Sequence, residues 1–248
     1  MPAATNALAM LKPMTLFRPA YLRREPFVVN EETMLSLIRE AGLIPFFENI
    51  VPGWSVEEHT PAEYFLTDEQ LGPWDWKIYC VQSGDIAYGK FLLGGKAAFA
   101  TADVYRELMN WRRSLPKYRP DERQQQILDF MEEHGSAGIR DVRNLLGIKK
   151  GAADALMAGL QRQTRVVTGD ITRVYRGADL HYNGWQTSSF CTPEALFEDD
   201  ADAFPFPGWK PRSMKSQLSP AQSREFLVET ILRQAPGTPV KLIDKVLG

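Results

Sequence analysis

The amino-acid sequence predicts an α+β protein, and three patterns carry that expectation. Apolar residues recur at helical spacing in stretches that stop at glycine, as in "EETMLSLIREAG", "RQQQILDFMEEHG" and "SAGIRDVRNLLG". Extended runs flank a glycine pair in "IAYGKFLLGGKAAFA" and a polar, glycine-containing turn in "RVVTGDITRVYRGADLHYNGWQTSSF". The composition is that of a packed protein: 44% hydrophobic and 24% charged residues, with six Trp and thirteen Phe over 248 residues. That length accommodates two domains.

Charge and cysteine usage narrow the function classes. The formal net charge is −2, and the sequence pI is near 6.0. Non-specific DNA binders draw most of their affinity from neutralised phosphates and are basic, so the chain as a whole does not fit that class, although a local patch can. Cys80 and Cys191 form no CxxC pair, and His59, His134 and His181 are scattered. No metal site is expected from that spacing, and no cofactor motif is present. Free thiols and the lack of a signal-peptide core point to a cytoplasmic protein. The N-terminal apolar run is interrupted by Lys12 and Pro13 and is too short for a membrane span.

Four segments follow in order. Residues 1–30 hold Pro2, Pro13, Pro19 and Pro26 and read as an extended arm. Residues 31–116 read as an α+β domain. Asn30 caps a helix with the stripe Met34, Leu35, Ile38 and Ala41, and Gly42 ends it. A loop-rich apolar stretch punctuated by Pro45, Pro52 and Pro61 comes next, with one helical turn in "SVEEHTPAEYF". Trp74, Trp76, Ile78 and Cys80 lie two apart, the spacing of a strand, and Ile86, Tyr88, Lys90 and Leu92 alternate in the same way. Gly94 and Gly95 mark a hairpin, and Thr101 caps the helix "ADVYRELMNWRR".

Residues 117–195 read as a second domain. Pro120 breaks the preceding helix and Asp121 starts the next. One helix carries Ile127, Leu128 and Met131. A short helix carries Ile139, Val142, Leu145 and Leu146, and a third carries Ala153, Leu156, Met157 and Leu160 before two strands. Helix, short helix, helix and β-hairpin is the order of a winged helix-turn-helix. Residues 196–248 form a helical tail: an acidic, then Pro/aromatic crossing segment, a helix with Ser219 as cap and Pro220 at its first position, and a last short helix.

Candidate binding residues gather in two places. Residues 138–176 hold eight basic side chains (Arg140, Arg143, Lys149, Lys150, Arg162, Arg165, Arg173, Arg176) against Asp141, Asp154 and Asp170. Such a local excess is the electrostatic signature of phosphate contact. Lys149 and Lys150 sit at a helix start, where free N–H groups also favour phosphate, and Gln161 and Arg162 have side chains able to read base edges. The small residues Gly151, Ala152, Ala153, Ala155, Ala158 and Gly159 favour instead close packing against protein. The second place is an aromatic cleft of Trp74, Trp76, Lys77, Tyr88 and Lys90, which would stack a base and hold a phosphate or form ordinary core. The carboxylates Glu57, Glu58, Glu63, Asp68, Glu69 and Asp75 have no partner at fixed spacing and read as solvated surface. "SGD" at 83–85 reads as a turn, and "YGKFLLGGK" lacks the glycine spacing and following helix of a P-loop.

The segments "PGWSVEEHTPAEYF", "GPWDWK" and "IAYGKFLLGGKAAF", with "LQRQTRVV" before a "GW…TPE" segment, resemble a bacterial family labelled as related to the AlkZ-type alkylpurine DNA glycosylases. The resemblance covers roughly residues 43–196. It implies a shared winged-helix superfamily and, for the glycosylases themselves, tandem winged helices and a catalytic Gln–apolar–Gln motif. Such an enzyme flips a damaged purine and cuts its glycosidic bond with a positioned water. Here one winged helix is evident, and Gln161-Arg162-Gln163 has a charged middle residue, so the catalytic role is not carried over to it. The expectation is a DNA-associated binding module with double-stranded DNA as partner. The alternatives are a glycosylase-like repair enzyme and a winged helix that binds protein.

Overall fold

The computed structural model describes residues 27–66, 71–92, 94–176, 178, 180–198 and 211–248. Most of the expected arm, and of the acidic and Pro/aromatic crossing, therefore lies outside the described residues. The fold is mixed α+β, with ten α-helices and two small antiparallel sheets among the described residues.

Helix α1 (Glu31–Ala41) starts at a capping box: Asn30 Oδ1 accepts from the Thr33 amide at 2.9 Å, and Thr33 Oγ1 accepts from the Asn30 amide at 3.1 Å. Gly42, at φ +73°, ends it. The apolar stretch read as loop contains β1 (Leu43–Pro45) and then, in "SVEEHTPAEYF", a 3₁₀ turn at Glu57–His59 and the short α2 (Glu63–Leu66).

The expected strand through Trp74–Cys80 is instead helix α3 (Pro73–Gln82). Pro73 occupies its first turn, where a missing N–H costs nothing. Gly72 precedes it because a Cβ there would lie 2.2 Å from the Tyr64 carbonyl oxygen. The two-residue spacing of the tryptophans consequently splits them between faces: Trp76 is buried and Trp74 is exposed.

Strands β2 (Ile86–Gly89) and β3 (Ala98–Thr101) pair antiparallel, with β3 central in the order β1-β3-β2. The strand expected to run to Leu92 stops at Gly89. Thr101 stands at the cap position of α4 (Ala102–Arg113), although its hydroxyl makes no capping bond.

Next come α5 (Glu122–His134), a two-residue β4 (Ala137–Gly138), α6 (Ile139–Leu146), α7 (Lys150–Arg162), β5 (Val167–Arg176) and β6 (His181–Cys191). Asp121 and Gln124 form the capping box of α5. The second sheet has the order β4-β6-β5, with β-bulges between Thr168 and Asp170 and between Arg173 and Tyr175. Three helices remain: α8 (Pro193–Phe197), which the sequence reading did not anticipate, α9 (Pro220–Gln234), capped by Ser219, and α10 (Val240–Leu247).

Two cores result. The larger gathers α1, the first sheet and α4, and also takes in Leu227, Ile231, Ile243 and Leu247 from the C-terminal helices. The smaller holds α5, α6 and α7 together through Ile127, Met131, Val142, Ala153, Met157 and Leu160. A minor apolar contact of Ile171 with Ile78, Val81 and Tyr88 joins β5 to α3. Arg112, only 1% exposed, ties the parts together by donating to the carbonyls of Phe91, Arg162 and Leu247. Burial lowers its pKa to about 10, against the pull of Tyr118 and Tyr105, so it stays protonated at neutral pH. No helix among the described residues is long and apolar enough to cross a membrane. Both cysteines are buried.

Candidate nucleic-acid interface

Helix α7 has two unlike faces. Ala153, Met157, Leu160 and Gln161 point inward at the spacing of one helical stripe. Lys149, Lys150, Gly151, Ala152, Ala155 and Arg162 face solvent. Gly147, in the left-handed conformation at φ +63°, ends α6 and turns the chain tightly into α7. On α6 only Val142 is buried, so Arg140 and Arg143 are exposed beside the start of α7. Asp141 reaches back to the Gly138 amide at 2.8 Å and caps α6. Lys150 lies 3.5 Å from Asp154 in an exposed i,i+4 pair, a contact that water and salt weaken.

Gln161 does not share the open face. It is 4% exposed; its Oε1 accepts from the Lys90 amide at 2.7 Å, and its Nε2 donates to the Met157 carbonyl at 3.3 Å. Gln163 likewise turns inward, donating to Gln124 Oε1 at 2.9 Å. Of Gln161-Arg162-Gln163, then, only the arginine is fully open to solvent, and both glutamines join α7 to its neighbours.

Arg165 is half-buried. Burial, and then the nearby Arg113, lower its pKa against the pull of Glu194. Arg113 is paired with Glu194 and donates to the Thr164 carbonyl at 2.6 Å. Arg173 Nε is 3.2 Å from Asp75 Oδ1; burial is the largest single influence and disfavours its charge, but Asp75 and Tyr182 together outweigh it and the pKa is raised. Arg176 is exposed, 5.4 Å over the Trp185 ring.

The aromatic cleft is dispersed by the turn of α3. Trp74 stacks on Phe46 at 5.3 Å with Lys77 5.2 Å over its ring, whereas Trp76 packs against Tyr64 at 5.1 Å. Burial lowers the Lys77 pKa, with Asp75 opposing. Tyr88 and Lys90 lie elsewhere, at a cavity of about 180 Å³ between β2 and the inward side of α7. Asp154, Met157, Gln161, Thr168, Ser188 and Phe190 complete its polar and aromatic wall. Burial raises the Tyr88 phenol. The acidic side chains read as solvated surface are partly structural. Glu58 accepts from the Gly53 amide and Ser55 hydroxyl at 2.6 Å each, Glu57 accepts from the Glu48 amide at 2.7 Å, and Asp68 and Glu69 lie outside the described residues.

Sequence reasoning missed Asp75, Thr168, Tyr182, Ser188 and Gln186 as members of these clusters. Their only sequence signal was polarity inside apolar stretches. Among the described residues no group of acidic, His and Cys side chains is arranged to hold a metal.

Residues 28–248 match the model of a protein family described as AlkZ related. No curated protein and no solved structure matches the chain.

Proposed function

The chain belongs to the AlkZ-related family, and from that premise we propose that it is a DNA-associated binding module that meets double-stranded DNA through a winged helix built by residues 117–195. The observation that carries this reading is the open, basic face formed by α6 and the N-terminal half of α7, with Arg140, Arg143, Lys149 and Lys150 toward solvent and Arg162 at the far end. Two further features support it. The order helix, short strand, helix, helix, hairpin, with β6 central in its sheet, is that of a winged helix. Gly151, Ala152 and Ala155 leave the start of α7 unobstructed, so a phosphate backbone can come close to its amides.

Anisotropy titration of labelled duplex tests the reading. Lys149→Ala/Lys150→Ala/Arg162→Ala should weaken binding at least about tenfold and flatten the log K against log salt slope by about two to three. No duplex binding by the unaltered protein at about 50 mM salt, or unchanged binding by the triple variant, sinks it. A stable oligomer that buries the α7 face gives the protein-binding reading instead.

The cavity beside Tyr88 favours a second reading, a glycosylase-like activity on alkylated purines. Tyr88, Thr168 and Ser188 bring hydroxyls to its wall, and Asp154 adds a carboxylate. Release of an alkylated purine from duplex by excess purified protein is its test, and intact substrate after long incubation removes it.

A further inference from the structure

The β5–β6 hairpin is held against α3 in an unusual way. Ile171 makes the buried apolar contact there. Farther out the attachment is polar. Arg173 Nε and the Tyr182 hydroxyl both donate to a single oxygen, Asp75 Oδ1, at 3.2 and 2.8 Å. Gln186 Nε2 donates to the Tyr182 hydroxyl at 2.8 Å and to the Trp74 carbonyl at 3.0 Å, which fixes the phenol in place. Two donors converging on one anionic oxygen is how a protein holds one oxygen of a phosphate. Arg173 meets Asp75 through Nε, and its guanidinium lies 5.5 Å over the Tyr182 ring, so the two donors of the site also hold each other.

We propose that Arg173 and Tyr182 form a phosphate site that the chain fills with its own Asp75 carboxylate, and that a phosphodiester of bound nucleic acid displaces Asp75 from it. This rests on the duplex-binding reading above. The exchange conserves charge at the site: one anion leaves the arginine and another takes its place. Asp75 sits in the first turn of α3, where the helix dipole stabilises the carboxylate once it is released. The bulge after Arg173 lets the outer hairpin shift without disturbing the ladder nearer the core. Its outer residues Tyr175 and Trp185 are more than half exposed, so only part of their apolar surface holds them in place.

The experiment is Asp75→Asn, which keeps the shape and removes the charge, with Asp75→Ser as a second variant should the first misfold. Duplex affinity at about 0.1 M salt should rise about three- to tenfold, and the salt slope should steepen by about one phosphate contact. Adding Arg173→Ala should return affinity to the starting level. Inorganic phosphate, followed through the Arg173 Nε–H resonance, should shift that signal in Asp75→Asn and leave it unmoved in the unaltered protein. A folded Asp75→Asn variant that binds duplex no more tightly and whose Arg173 signal ignores phosphate overturns the proposal. A phosphate response without duplex binding by either protein upholds the site and sinks the duplex-binding reading.

Discussion

At the scale of single residues, the side chains that most resembled readers of nucleic acid are the ones the fold uses for itself. A glutamine next to an arginine near the end of a basic helix carries the same chemistry whether it meets a base edge or a backbone amide; only its angular position decides. Gln161 falls on the stripe of Met157 and Leu160, so it is buried and bonded to Lys90. The fit is tight: a Cβ added at Gly89 would stand 2.6 Å from Gln161 Oε1. Gly89→Ala should therefore destabilise the protein by about 1–3 kcal/mol in urea unfolding, the usual cost of overpacking. Gly89→Ala/Gln161→Ala should recover part of that loss, giving a clearly non-additive cycle. Additive losses would mean that the two side chains do not compete for this space.

At the scale of elements, helix ends were the most legible feature. Asn30, Asp121 and Ser219 each start a helix as their side chains and spacing foretell, and Gly42, Gly135 and Gly147 each end one. These signals act within a few residues of chain, so they survive without tertiary context. The error at α3 arose where two patterns competed. Alternating Trp74, Trp76, Ile78 and Cys80 imitated a strand, while Gly72-Pro73 announced a helix start. The helix prevailed because Trp76 and Cys80 need only share one face, and Trp74 could remain at the surface. Of the candidate sites, the exposed basic start of α7 was legible. The hairpin's attachment to Asp75 was not, because it joins residues about a hundred positions apart. Another long-range bond holds the C-terminal helices. Glu107, 2% exposed, accepts from Arg106 at 3.0 Å and from the hydroxyls of Ser216 and Ser223 at 2.6 Å each. Glu107→Ala leaves those donors without their acceptor and should cost about 2–4 kcal/mol. Limited proteolysis should then cut in residues 211–219 earlier than in the unaltered protein, and an unchanged digestion pattern would argue that α9 is held by its apolar face alone.

At the scale of the whole molecule, sequence segments and packing units do not coincide. The C-terminal helices complete the core begun by α1 and the first sheet, passing over the α5–α7 unit that lies between them in sequence. Removing residues 220–248 should uncover Val104, Leu108 and their neighbours and abolish the cooperative thermal transition of the N-terminal half; a truncated chain that melts with unchanged Tm would contradict this. Because Ile243, Val246 and Leu247 belong to that first core, its assembly waits for residues synthesised well after α1 and the first sheet. The α5–α7 unit has its own buried residues and is free to form earlier, during synthesis. The first half of the chain meanwhile carries an incomplete apolar surface, the condition in which partly made chains are prone to aggregate.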